Sequence, residues 1–450
     1  MRLRQRGGGA ALMREVWMGM LAVGCATTAV AQQAQQPAPR QYEVTLKEAI
    51  ERSLDVQPAM IQALGDQRNA GASKRSAYGA FIPAVTLGSS AARANTGRID
   101  QITGRPVPAE YSFTGSFNAS LDLFDGFRRF TNLKATSATG AAADAGIVNQ
   151  RFQVTLQTKQ LFYNAIAVEA LVRVAEAQVA RAQQQLQISI EKLHAGSATR
   201  SDSLRSTVEY GNARIDLLNA QANLATAQAN LGRQVGVDGL VRAVPDTTMP
   251  AMPDTAELRR LTIAEFPAVE QAEAQATAAR AQIWSARSQY WPTVTVSYSN
   301  NRQGTETLNG PPNFPFFGNY PETFQWRFAL SWPILNGFIR EANQVTASVN
   351  RDMAEARAAD ARRQANAQLT QQMAVLATAF EQISIADDNI AAAREDLRVQ
   401  NERYRVGAAT ILDLLTSQAA LTQAEVNGIQ TRFNYLIARS TLEATVGRTL

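Results

Sequence analysis

The chain has very little of what most protein chemistry uses: one cysteine and one histidine in 450 residues. Cys25 falls inside a leader-like segment, so the remainder of the chain can form neither an internal disulfide nor a thiolate metal site. His194 has no second His or Cys to join it and reads as a surface residue, not a ligand or a catalytic base. No nucleophile elbow, phosphate loop or metal-ligand cluster occurs, which argues against an enzyme and implies no cofactor. Long hydrophobic runs are missing too: nothing beyond the leader approaches the ~18 uninterrupted apolar residues of a membrane-spanning helix.

A dominant charge sign is also lacking. The formal net charge is +5, but Arg2, Arg4, Arg6 and Arg14 against Glu15 account for about +3 of it in the leader. The remainder is close to neutral and gives no electrostatic case for nucleic acid. Those arginines, the apolar run Val16 to Ala26 and the small-residue ending Ala29-Val30-Ala31 predict a signal peptide over residues 1–31, followed by an N-terminal segment over 32–42. Ala22-Val23-Gly24-Cys25 offers an alternative, a lipoprotein cleavage box that would keep Cys25 as a lipid-bearing N-terminus, with Ala where Leu is usual.

Proline is the most informative absence. None occurs from Ala109 to Val244 or from Ile334 to Leu450, and proline breaks helix interiors. Within these spans apolar and small residues recur in steps of fours and threes, as at Leu161, Ala165, Val168, Val172, Ala175 and Val179, and again at Leu376, Ala379, Ile383, Ala386 and Ile390. That period predicts supercoiled helices over 126–194, 200–235, 338–405 and 411–446. The first would be about 100 Å long at about 1.5 Å per residue. An ordinary helical bundle shows the same heptads, so the strands must decide.

What is present is present twice. AYGAFIPAVTLGSS from Ala77 is answered by ARSQYWPTVTVSYS from Ala286, SLDLFDGF from Ser120 by SWPILNGF from Ser331, and EKLHAGSATRSDSL from Glu191 by ERYRVGAATILDLL from Glu402. Gly126, Gly196, Asp202 and Gly236 match Gly337, Gly407, Asp413 and Gly447 at one common offset. Register held across so many elements indicates duplication. Repeat one is assigned to 43–243, a Pro-rich linker to 244–254 and repeat two to 255–450.

Each repeat carries a pair of two-faced strands, predicted over 83–95 and 111–124, then 291–302 and 323–334. From Tyr111 to Leu123 apolar residues alternate with Ser, Thr, Asn and Asp, and Phe324, Trp326, Phe328, Leu330, Trp332 and Ile334 alternate with Thr323, Gln325, Arg327, Ala329 and Ser331. A soluble sheet with one face on a core alternates likewise. These strands, however, have the length of a tilted membrane-barrel span, about 9 to 11 residues. Tryptophans beyond the leader, Trp284, Trp291, Trp326 and Trp332, all gather at the second hairpin, where interfacial aromatics would sit. Phe113, Phe117, Phe324, Trp326, Phe328 and Trp332 are therefore the expected lipid-facing residues. Four strands cannot close a cylinder, and an open edge in hydrocarbon leaves backbone groups unsatisfied, so several chains would have to pool their sheets.

At the other end of each rod a glycine, Gly196 or Gly407, is placed to close the helix in a left-handed conformation. Thr199 with Asp202, and Thr410 with Asp413, have the spacing of capping boxes. Capping alone would account for these residues; a ring of acidic groups at the mouth of an assembled tube, which selects and gates, is the functional alternative.

FIP and YWP opening the hairpins, LFDGF and ILNGF closing them, and the RYRVGAATILDLL turn resemble the TolC-like outer membrane efflux protein family, and the likeness runs from Thr45 to Gly447. It implies an α+β membrane protein of two tandem repeats, each a strand hairpin flanked by long coiled-coil helices. Three copies would form a 12-stranded β-barrel in the outer membrane of a Gram-negative bacterium, continued by an α-helical tunnel through the periplasm. The implied partners are the other two copies of a homotrimer, outer-membrane lipid, a periplasmic adaptor protein and an inner-membrane transporter. The implied role is a passive conduit in tripartite efflux or type I secretion. By the family pattern Asp413 would lie in an acidic ring at the periplasmic gate, with Tyr404 hydrogen-bonding near Asp202 to hold it shut. Gly196, Ser197, Ala198 and Thr199, with Gly407, Ala408, Ala409 and Thr410, would meet the adaptor. The sequence departs from the pattern at Ala409, where a gating Arg can occur, and at Thr416, where a second acidic residue can occur. A periplasmic coiled-coil adaptor or scaffold is the rival reading; a diffusion porin is disfavoured by so much helix beside four strands.

Overall fold

The computed structural model describes residues 42–93, 98–99, 102–107, 111–245, 249–253, 265–306 and 320–450. The expected signal peptide, Cys25 and most of the N-terminal segment lie outside the described residues. In chain order the elements are β1 (Tyr42–Val44), α1 (Leu46–Val56), α2 (Pro58–Gly79), β2 (Ala84–Arg93), the short β3 (Arg98–Ile99) and β4 (Pro106–Val107), β5 (Tyr111–Phe124), α3 (Arg128–His194), α4 (Arg200–Val235), β6 (Val241–Ala243), α5 (Pro267–Arg287), β7 (Thr293–Glu306), β8 (Glu322–Ser331), α6 (Ile339–Arg405) and α7 (Ile411–Val446).

The rods α3 and α6 each run 67 residues without a break, about 100 Å apiece. The absence of proline leaves every amide free to donate along the helix. The buried stripe of α3 is largely alanine, including Ala135, Ala142, Ala145, Ala165, Ala175 and Ala182, and small side chains there let neighbouring helix axes approach closely. The partners α4 and α7 are each 36 residues long. Larger side chains concentrate in three clusters: Val44, Phe162, Leu231 and Val241 in repeat one, Phe266, Leu369, Leu376, Tyr435 and Leu442 in repeat two, and Leu397, Tyr404, Ile411 and Leu414 near the tip. The repeat-one cluster also contains a satisfied polar network. The Thr158 hydroxyl lies 2.8 Å from Ser53 Oγ and accepts from Gln234 Nε2 at 3.0 Å. Fully partnered, such a network fixes the register of the helices that carry it. Beside it β1 and β6 pair in parallel and tie the start of repeat one to its end.

Strands β2, β5, β7 and β8 form one antiparallel sheet in that order. Its register puts Val85, Ala119, Tyr298 and Trp326 in one cross-strand row and Leu87, Phe117, Asn300 and Phe324 in the next. Directly opposed residues share a face, so the sheet has one predominantly apolar face. The other carries Thr86, Asn118, Ser299 and Gln325. Its outer edges, β2 and β8, have no strand partner among the described residues. β8 stops at Ser331, short of the expected 334, because Pro333 has no amide to give the ladder.

Each hairpin turns into its rod through two consecutive left-handed residues, Gly126-Phe127 (φ 67° and 63°) and Gly337-Phe338 (φ 65° and 64°). At Gly126 a side chain is excluded twice over, since a Cβ would fall 2.5 Å from the Ser288 carbonyl oxygen and 2.7 Å from Trp291 Cβ. Arginines one turn on secure both bends. Arg129 Nη2 donates to the Leu123 carbonyl (3.0 Å) and its guanidinium sits over the Phe81 ring; Arg340 donates to the carbonyls of Pro333 (2.8 Å) and Ile334 (3.0 Å) and sits over Tyr290.

Candidate functional sites at the helical tips and on the sheet face

The tips are built by two copies of one local solution. At the end of α3, Ser197 N donates to the Lys192 carbonyl and Gly196 N to that of Leu193; at the end of α6, Ala408 N donates to Arg403 and Gly407 N to Tyr404. These are the two bonds of a Schellman closure, with Gly196 (φ 73°) and Gly407 (φ 79°) left-handed as it requires. Ser197, Ala198, Ala408 and Ala409 make the crossing, and capping boxes then start α4 and α7. Asp202 Oδ2 accepts from Thr199 N (3.0 Å) and Asp413 Oδ2 from Thr410 N (2.9 Å), while each Thr hydroxyl accepts from the Asp amide. The Thr410 amide, then its hydroxyl, hold the Asp413 carboxyl below its ordinary value, helped by the Arg403 charge.

Tyr404 is buried in the tip cluster and engages a residue that sequence reasoning did not single out. The Lys192 ammonium lies 3.9 Å from the centre of its ring and donates to its backbone carbonyl. Tyr404 makes no hydrogen bond to Asp202 among the described residues. Lys192 is the last of three α3 cations joining repeat one to repeat two. Lys159 pairs with Glu443, and Arg181 Nη2 reaches Thr422 Oγ1 (3.2 Å) and Glu425 (3.5 Å). The three stand at hendecad spacing, which keeps them on one face of a straight helix; that spacing was the available signal. Thr416 turns its hydroxyl back to the Leu412 carbonyl (2.8 Å).

At the far end of the rods, Phe324, Trp326, Phe328 and Leu330 are 69, 62, 72 and 71% exposed, a row of large apolar side chains with no cover in the single chain. Phe117 shares their face and stacks edge-on with Tyr298. Phe113, expected to face lipid, is buried: the Tyr320 ring occupies the space above Gly304, directly opposite it in register. Trp332 lies just past β8, exposed, with its indole N–H donating to the Tyr290 carbonyl. Among the described residues no helix is long and apolar enough to cross a membrane, and no group of three or more His, Cys, Asp or Glu could hold a metal ion.

Comparison with known proteins agrees with this geometry. The family described as outer membrane efflux protein matches residues 46–237 and 258–448, one match per repeat. Protein CyaE of Bordetella pertussis is 26% identical over 329 residues, covering 70% of this chain; the match spans 66% of that relative's own length. Among solved structures, the outer membrane protein VceC of Vibrio cholerae superposes with a TM-score of 0.73 at 17% identity, over 90% of this chain and 96% of its own. A membrane protein of Pseudomonas aeruginosa gives 0.75 at 19%, over 90% of each chain. The Campylobacter jejuni CmeC outer membrane channel gives 0.73 at 15%, over 89% of this chain and 85% of its own. At these identities the structures attest the fold, and the family match attests the kind of protein. The chain belongs to the outer membrane efflux protein family, the TolC-like channels of the outer membrane.

Proposed function

We propose that three copies of this chain pool their sheets into one closed barrel and their rods into a periplasmic tube. The assembly would be the outer membrane conduit of a tripartite efflux or type I secretion system. The observation that carries this reading is the sheet itself. Among the described residues it has two bare edges, β2 and β8, and one predominantly apolar face. Bare edges are intolerable in hydrocarbon unless other strands complete them. The rods set the helical tips about 100 Å away, a distance suited to crossing an aqueous compartment toward an adaptor and an inner-membrane transporter.

The tips support the adaptor contact, since Gly196, Ser197 and Thr199, with Gly407, Ala408 and Thr410, are exposed at the end of each rod pair, Ala198 and Ala409 being half-buried between them. Asp413 and Asp202 belong to the same turns and would line the periplasmic mouth. Fractionation tests the channel reading. It expects a detergent-dependent trimer recovered from outer membranes, with single-channel conductance in planar bilayers. Recovery as a soluble periplasmic protein would instead favour an adaptor or scaffold. Gly407→Trp tests the tip: export should stop while trimers persist, and normal export by that variant would remove the adaptor assignment.

A further inference from the structure

The helices that deliver the chain into each hairpin, α2 and α5, end in a chemistry the channel reading does not use. In the register of the repeats, Arg75 corresponds to Trp284 and Tyr78 to Arg287. Both repeats thus place one cation and one aromatic three residues apart at the same two positions, in opposite order. All four side chains are exposed, and Arg287 lies over the Trp284 ring at 5.3 Å from its centre. Lys74 adds another exposed cation, and Ile82 and Trp291, corresponding residues one turn closer to the strands, are exposed as well.

The charge around them is one-sided. No Asp or Glu occurs from Gln67 to Arg93 or from Ala274 to Thr305. The acidic groups contributed by neighbouring elements at this level are already engaged: Asp122 and Asp125 with Arg128 and Arg129, and Glu341 with Arg340. Lys74, Arg75 and Arg287 form no ion pair among the described residues. An aromatic ring beside an unpaired cation, next to the end of a lipid-facing strand, matches a headgroup. In such a pairing the ring would lie at the glycerol level and the cation would meet a phosphate oxyanion.

Resting on the barrel reading above, we propose that the α2 and α5 ends form a headgroup collar that selects anionic glycerophospholipid from the inner leaflet, with Lys74, Arg75 and Arg287 holding the phosphate and Tyr78 and Trp284 the glycerol region. Each chain supplies two such sites. The collar therefore extends the membrane contact past the strands onto the last turn of the helices.

The test uses the full-length trimer reconstituted into nanodiscs of phosphatidylethanolamine with added phosphatidylglycerol, then extracted and analysed by native mass spectrometry. Wild type should retain phosphatidylglycerol over phosphatidylethanolamine. Lys74→Gln, Arg75→Gln and Arg287→Gln combined should abolish that preference, at about fivefold for each cation removed. Trp284→Leu should weaken retention of both lipids. Single-channel conductance of the same samples is the control: conducting trimers in which wild type and the triple variant retain equal phosphatidylglycerol overturn the collar and leave the channel standing. A wild type that forms no conducting trimer overturns both. In a competition arm with inorganic phosphate and lipopolysaccharide added to the same nanodiscs, retention of either in preference to phosphatidylglycerol would also overturn the assignment.

Discussion

The Lys192 ammonium sits over the ring of Tyr404 and hydrogen-bonds to that residue's carbonyl, so the last turn of the first rod is fastened to the last turn of the second. A cation held on an aromatic face contributes about 0.5 to 2 kcal/mol, depending on desolvation. Lys192→Met keeps the stem and removes the charge. It should loosen the two tips by about two- to thirtyfold, seen as faster tryptic cleavage after Arg403 and Arg405 and a larger resting conductance. Unchanged cleavage and conductance would show that the contact fastens nothing.

Asp413 gives a pH dependence with a definite sign. Its carboxyl is depressed in the folded tip by the Thr410 amide and hydroxyl. The stability it contributes is therefore complete above the unfolded value, about 3.9, and is lost as pH falls through the lower folded value. The protection factor for hydrogen exchange at the first turn of α7 should fall below about pH 4 in wild type and be low at all pH in Asp413→Ala. The same substitution should alter block of the conductance by divalent cations. An unaltered response to those ions would separate the cap from any ring of charge.

The two hairpin bends look alike but should not respond alike. Gly337→Ala meets open space and should cost only the left-handed strain, about 1 to 2 kcal/mol. Gly126→Ala adds a collision with the Ser288 carbonyl and Trp291, and about 1 to 3 kcal/mol more. Thermal melting of the detergent-solubilised protein would compare them. Equal losses would mean that the two bends are not packed as described.

A charge on the two sheet faces should have opposite consequences. Phe328→Arg places a guanidinium on the apolar face and should cost about 2 to 4 kcal/mol if that face meets the bilayer midplane, read as a lower refolding yield into lipid vesicles. Gln325→Arg on the polar face should be nearly neutral. Equal yields for the two would contradict a lipid-facing sheet.

The alternation of hairpins and long helices is legible in the sequence because its signals are local. A missing proline, a two-residue period and a Thr three residues before an Asp are read within one segment. Pairings between segments are not. β1 and β6 are three residues each, too short to carry a period. The β5–β7 pairing joins strands of different repeats, and nothing in either strand names the other. Lys192 escapes a sequence reading because its partner depends on how one rod is shifted along another. The burial of Phe113 has no local signal, because Tyr320, whose ring lies over the opposed Gly304, is remote from it in the sequence. At the tips, sequence reasoning finds the residues that shape each turn and misses the residue that joins the turns.

The bare edges of the sheet bear on what stability means for this chain. If copies pool their sheets as proposed, each protomer offers its neighbours the hydrogen bonds that β2 and β8 lack among the described residues, and much of the free energy of the sheet belongs to that encounter. If three copies close the barrel, melting should shift upward with protein concentration, as it does when folding and association are one equilibrium. Until that encounter, β2 and β8 are templates for any stray strand. On that reading the dangerous period for this protein is the interval before assembly, when a surface meant for its own kind is open to whatever else is near.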